Sequence, residues 1–72
     1  MPMVEISFSL DGEFIELCKL LKACGLCESG GTAKVAIKNS LVKVDGILES
    51  RKGCKIRQGQ RVEYDGHTII VQ

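Results

Sequence analysis

The stretch Glu-Ser-Gly-Gly-Thr-Ala-Lys-Val-Ala-Ile-Lys-Asn-Ser-Leu-Val-Lys-Val-Asp-Gly-Ile-Leu-Glu-Ser-Arg-Lys-Gly-Cys-Lys, residues 28–55, decides how the chain is read. Ser29 is a good N-cap residue, because its hydroxyl can accept a hydrogen bond from a free N–H of a helix's first turn. It opens a helix to about Asn39, with Thr32 as a competing cap three residues later. Ala33, Ala36 and Ile37 form a narrow apolar stripe, and the two alanines allow close approach to a neighbouring helix. Lys34 and Lys38 lie one turn apart, away from that stripe. Leu41–Val44 then reads as a strand, Asp45-Gly46 as a two-residue turn, and Ile47-Leu48 as the return strand. A basic loop from Ser50 to Gly59 follows.

Upstream, Val4, Ile6, Phe8 and Leu10 alternate with polar residues, the period of a half-buried strand. Asp11-Gly12 ends it, and Asp11 is placed to cap a helix over Glu13–Cys24. Phe14, Leu17, Cys18, Leu21 and Cys24 share a face of that helix, widened by Ile15 and Leu20, with Glu13, Glu16, Lys19 and Lys22 opposite. Gly25 suits its C-terminal cap, where the left-handed conformation costs a glycine little. Downstream, Arg61–Tyr64 and His67–Val71 flank a second Asp-Gly turn at Asp65-Gly66. The partner of the first strand is left open, with the last strand as a candidate.

The expected fold class is α+β: two packed helices against a small, mostly antiparallel sheet with two Asp-Gly hairpins. Seventy-two residues allow one domain, spanning 1–72. A chain of this size hides only roughly 60% of its unfolded surface, which disfavours a deep catalytic cleft.

The net charge of +1 conceals an uneven distribution. Residues 1–28 carry a balance of −3 and residues 29–62 a balance of +6. The middle of the chain is thus a basic module in a near-neutral protein. Its cations converge on an anion-binding surface: Lys34 and Lys38 from the helix, then Lys43, Arg51, Lys52 and Lys55 around the hairpin. Ser29, Gly30, Gly31 and Thr32 add free backbone N–H groups at a helix start, where an anion is favoured. No phosphate-loop motif of the Walker type occurs.

No apolar run reaches the ~20 residues needed to cross a bilayer, and the N-terminus has no signal-peptide pattern. A cytoplasmic protein with free thiols is expected. Cys24-Gly25-Leu26-Cys27 could be half a zinc site or a redox pair. However, no second paired motif supplies the other ligands, and the pair follows a helix rather than opening one. Structural thiols, no metal and no cofactor are expected. His67, the sole histidine, has no nucleophile near it in sequence, so no catalysis is expected.

The order of these features resembles the S-four RNA-binding domain, or alpha-L motif, over a core of about residues 14–64. Its stand-alone bacterial members carry Ser-Gly-Gly and Ala-Lys where Ser29-Gly30-Gly31 and Ala33-Lys34 stand here. They also show a basic pair like Arg51-Lys52 after a Val-x-Val-Asn/Asp-Gly hairpin. Two departures stand out. Gly30 replaces an arginine that many members carry after the serine, which moves the weight of binding onto Lys34, Lys38 and the downstream cluster. Asp45 takes the place of the family's asparagine.

The resemblance implies RNA binding without catalysis, with ribosomal RNA or an assembling ribosome as the target; a monomer is expected. Ser29, Gly30, Gly31, Thr32, Lys34, Lys38, Lys43, Asp45, Arg51, Lys52 and Lys55 would form its RNA-binding surface. The alternative is an interaction module that docks an acidic protein on the same face. Both phenylalanines read as core, so stacking of unpaired bases is disfavoured, and readout of RNA shape through backbone and 2′-hydroxyls is favoured.

Overall fold

The computed structural model describes residues 4–72, so the signal-peptide reading of the N-terminus falls in part outside the described residues. Strand β1 (Val4–Phe8) is followed by a short β2 (Ile15–Glu16), which runs directly into helix α1 (Leu17–Ala23). Helix α2 (Gly30–Lys38) comes next, then β3 (Val42–Val44), β4 (Ile47–Leu48), β5 (Lys55–Ile56), β6 (Arg61–Tyr64) and β7 (His67–Val71). Five strands form one sheet in the order β1-β7-β6-β3-β4, and β2 and β5 form a separate ladder. Only β1 and β7 pair in parallel within the main sheet, Val4 opposite His67 through Phe8 opposite Val71; its other pairs are antiparallel. This is the expected α+β architecture, and the partner of the first strand is the last one.

Two layers meet at one core. Leu17, Leu20 and Leu21 of α1 and Ala33, Ala36 and Ile37 of α2 pack with Val42, Val44, Ile56, Val62, Ile69 and Val71. Strand alternation sends Val42, Val44, Val62 and Ile69 to the helices, so Lys43, Arg61 and Glu63 face away from them. The fully buried Ala33 and 5%-exposed Ala36 are small enough to bring α2 close against α1, as the stripe predicts.

Turn chemistry holds the connections. Asp45 and Gly46 both have positive φ, 53° and 81°, as a type I′ hairpin turn demands. Helix α1 ends with Gly25 at φ 76°. There Gly25 N–H donates to Lys22 C=O and Leu26 N–H to Leu21 C=O, which satisfies carbonyls the helix leaves open. Helix α2 ends with the same bond pattern, Ser40 N–H to Ile37 C=O and Leu41 N–H to Ala36 C=O. Ser40 takes the left-handed position at φ 60° without being glycine.

Three expectations are corrected. The first helix does not run from Glu13, and Asp11 does not cap it. Ile15 and Glu16 are a strand paired with Ile56 and Lys55. Glu16 sits at the N-cap position with no side-chain cap bond. Leu17 N–H donates instead to Cys54 C=O at 2.9 Å, and Cys18 N–H to Lys52 C=O at 3.3 Å. A loop from far along the chain thus fills the place of a capping side chain. As a result Phe14 leaves the core and is 39% exposed. The segment 50–59 is not all loop either, since β5 buries Ile56 completely.

Candidate nucleic-acid interface

Three local arrangements build the basic surface. Helix α2 is capped by Ser29, whose Oγ accepts from Thr32 N–H at 3.2 Å; Thr32 is therefore inside the helix, not its cap. With Ala33, Ala36 and Ile37 turned to α1, Lys34 and Lys38 are left on the exposed side. The loop after β4 is then pinned onto the start of α1 through the carbonyls of Lys52 and Cys54. Both walls are thereby referenced to the same helix. Between them runs a groove of about 460 Å³, lined by Lys34, Val35 and Lys38 on one side and Ser50, Arg51, Lys52 and Gly53 on the other. Four of the expected cations meet there, over an apolar strip formed by the 59%-exposed Val35.

The glycines at the start of α2 fit the same face. Gly30 and Gly31 precede Lys34 by four and three residues, spacings that place them on the same side of a helix. A Cβ at Gly30 would meet nothing within 4 Å, and at Gly31 only Ser29 Oγ at 3.7 Å. Neither glycine is required by packing, and neither has positive φ. Their effect is to leave the first-turn backbone bare on the lysine side.

Arg51 is less free than its position in a basic loop suggests. Its Nε and Nη2 donate to Glu49 Oε2 and Oε1, each at 3.0 Å, and its backbone N–H donates to Oε2 at 3.0 Å. These bonds hold the Glu49 carboxyl down at about 2, the side-chain bonds from Arg51 first and its backbone N–H next. A folded-state pKa below the ordinary 4.5 contributes stability above that value and loses it as pH falls towards about 2. Glu49→Gln is therefore expected to flatten the acid limb between about pH 4.5 and 2. Chemical denaturation at a series of pH values, wild type against variant, checks this.

Two expected residues lie elsewhere. Lys43 sits between Val42 and Val44, both turned into the core, so it projects from the opposite face of the sheet. It lines a separate depression with Leu41, Leu48, Glu63 and Tyr64. Asp45 serves the fold: Oδ1 accepts from Arg61 N–H at 3.0 Å and Oδ2 from Gln60 Nε2 at 3.2 Å, which locks the first hairpin to the start of β6. Lys55 lies just beyond the groove, in a cleft shared with Arg51, Gly53 and Cys54. Its Nζ stands 4.8 Å from the centre of the Phe14 ring, and Arg57 Cζ stands 5.9 Å from it. Val35 was not legible as part of the groove, nor Phe14 and Arg57 as exposed neighbours of Lys55 outside it.

The cysteines are free: Cys18 and Cys27 are buried, Cys24 and Cys54 partly so. Burial pushes the Cys24 thiol up, opposite to the lowered value that makes a redox cysteine reactive. Among the described residues no three His, Cys, Asp or Glu side chains are grouped to hold a metal. No helix among them is long and apolar enough to cross a membrane.

The family model for the S4 domain matches residues 8–72. The chain belongs to the S4 domain family. It is 54% identical over 57 residues to the Escherichia coli protein YbcJ, covering 79% of this chain and 81% of YbcJ, whose name carries a provisional RNA-binding assignment. The solution structure of YbcJ, described as revealing an alpha-L motif involved in RNA binding, superposes with a TM-score of 0.64 at 46% identity. That match covers 99% of this chain and 89% of YbcJ. A tyrosine-tRNA ligase of Ralstonia nicotianae is 40% identical over 58 residues, 81% of this chain but 14% of the enzyme. The resemblance read from the Ser-Gly-Gly helix start and the Val-Lys-Val-Asp-Gly hairpin is thereby borne out for family and fold.

Proposed function

We propose that this S4 domain binds structured RNA, without catalysis, in the groove between α2 and the loop after β4. One observation carries the reading: Lys34, Lys38, Arg51 and Lys52, scattered over the sequence, line a single groove. Such a groove neutralises successive phosphates and gains affinity by releasing their counterions. The bare start of α2 offers backbone N–H groups to one further phosphate. The RNA-binding descriptions attached to YbcJ support the same reading. Its lining of three lysines and an arginine suits the groove to hold a phosphate backbone.

The substrate class proposed is a folded RNA element, ribosomal RNA first, because the family takes its name from a small-subunit ribosomal protein. Fluorescence anisotropy against a ribosomal RNA hairpin, a tRNA and an unstructured oligonucleotide tests this at several salt concentrations. The hairpin should bind most tightly, with log affinity falling linearly in log salt at roughly 0.7–0.9 units per neutralised phosphate. Equal binding of the unstructured oligonucleotide would sink shape recognition. Preference for an acidic peptide over every RNA would make the face a protein-docking surface instead.

A further inference from the structure

The two-stranded ladder of β2 and β5 places an aromatic ring on the outside. Ile15 is opposite Ile56 and Glu16 opposite Lys55. Ile56 is fully buried and Ile15 packs against the core. Strand alternation then turns Phe14, Lys55 and Arg57 the other way. Phe14 is left 39% exposed, with Lys55 Nζ at 4.8 Å and Arg57 Cζ at 5.9 Å from its centroid. Glu16, the acid opposite Lys55, is paired with Lys19 at 3.2 Å. The cleft beside Lys55 shares Arg51 and Gly53 with the basic groove, and Lys55 in turn stands over the Phe14 ring.

We propose that Phe14, Lys55 and Arg57 form a stacking site for an unpaired nucleotide next to the folded RNA in the groove; this rests on the RNA-binding reading. A nucleobase has the flat π face to lie on the ring, and the flanking phosphates suit the two cations already gathered there. An exposed cation–π contact is weaker than a base–aromatic stack, so the base can replace the lysine over the ring. The site thus reads a junction between paired and single-stranded RNA, not a duplex alone.

The test compares a blunt RNA hairpin with the same hairpin carrying a short single-stranded extension on its 5′ or 3′ side, at fixed salt. Wild type, Phe14→Leu, which keeps an apolar side chain without the π face, and Phe14→Tyr, which keeps the ring, are titrated with each. One extension should tighten wild-type binding by about fivefold or more. Phe14→Leu should lose that gain while binding the blunt hairpin as wild type does, and Phe14→Tyr should retain it. An extension that adds nothing, or a gain that survives in Phe14→Leu, overturns the stacking site and leaves the groove reading standing. Failure of wild type to bind either RNA overturns both.

Discussion

Replacing Lys34 and Lys38 together by alanine is expected to weaken binding to a folded RNA hairpin by about tenfold or more near physiological salt. The slope of log affinity against log salt should become shallower by about two units. The two side chains form most of the helix wall of the groove. The substitution leaves the fold intact for a physical reason. Like charges one turn apart cost a helix about 0.2–0.5 kcal/mol, and alanine is the better helix former. Stability should therefore hold or rise slightly while affinity falls, an outcome that general destabilisation cannot produce. Lys43→Ala is the matched control, because Lys43 projects from the other face of the sheet. Anisotropy titrations beside thermal melts of the same samples check both quantities.

Leu20→Ala is expected to destabilise the domain by about 2–5 kcal/mol, the range for emptying a buried leucine site. Leu20 is 0% exposed, as are Leu17 and Leu21 beside it in α1. Natural domains hold about 0.05–0.15 kcal/mol per residue, which for this chain is roughly 4–11 kcal/mol in total. The substitution thus removes a large share of all the stability available. It also reaches the groove, because α1 is the reference for both walls: α2 packs on it and the 52–54 loop is hydrogen-bonded to its first residues. Urea unfolding followed by circular dichroism gives the midpoint shift. RNA affinity of the fraction still folded should drop as well.

The elements that depend on neighbours in sequence were legible. The Ser29 cap, the alanine stripe, both Asp-Gly hairpins and the Gly25 stop each rest on residues within a turn or two of one another. The start of α1 was not. Phe14, Leu17 and Leu21 fit a helical stripe as well as they fit a strand running into a helix. The choice is made by Ile56 and the carbonyls of Lys52 and Cys54, which no local pattern around Phe14 reveals. A misplaced Phe14 then hid the aromatic cleft. Lys43 was grouped with the site by charge, although the alternation Val42-Lys43-Val44 already implied a different face from the core-packed helices. The pairing of Arg51 with Glu49 was not legible, because it depends on how the chain turns at Ser50.

The position of the groove is the central claim, and amide chemical-shift mapping of the labelled protein with a folded ribosomal RNA hairpin tests it most directly. The largest changes should fall on Gly30, Gly31, Lys34, Lys38 and the loop from Ser50 to Gly53, with the outer sheet face around Lys43 and Glu63 unmoved. Changes concentrated on that outer face, or none at RNA excess, would contradict the account.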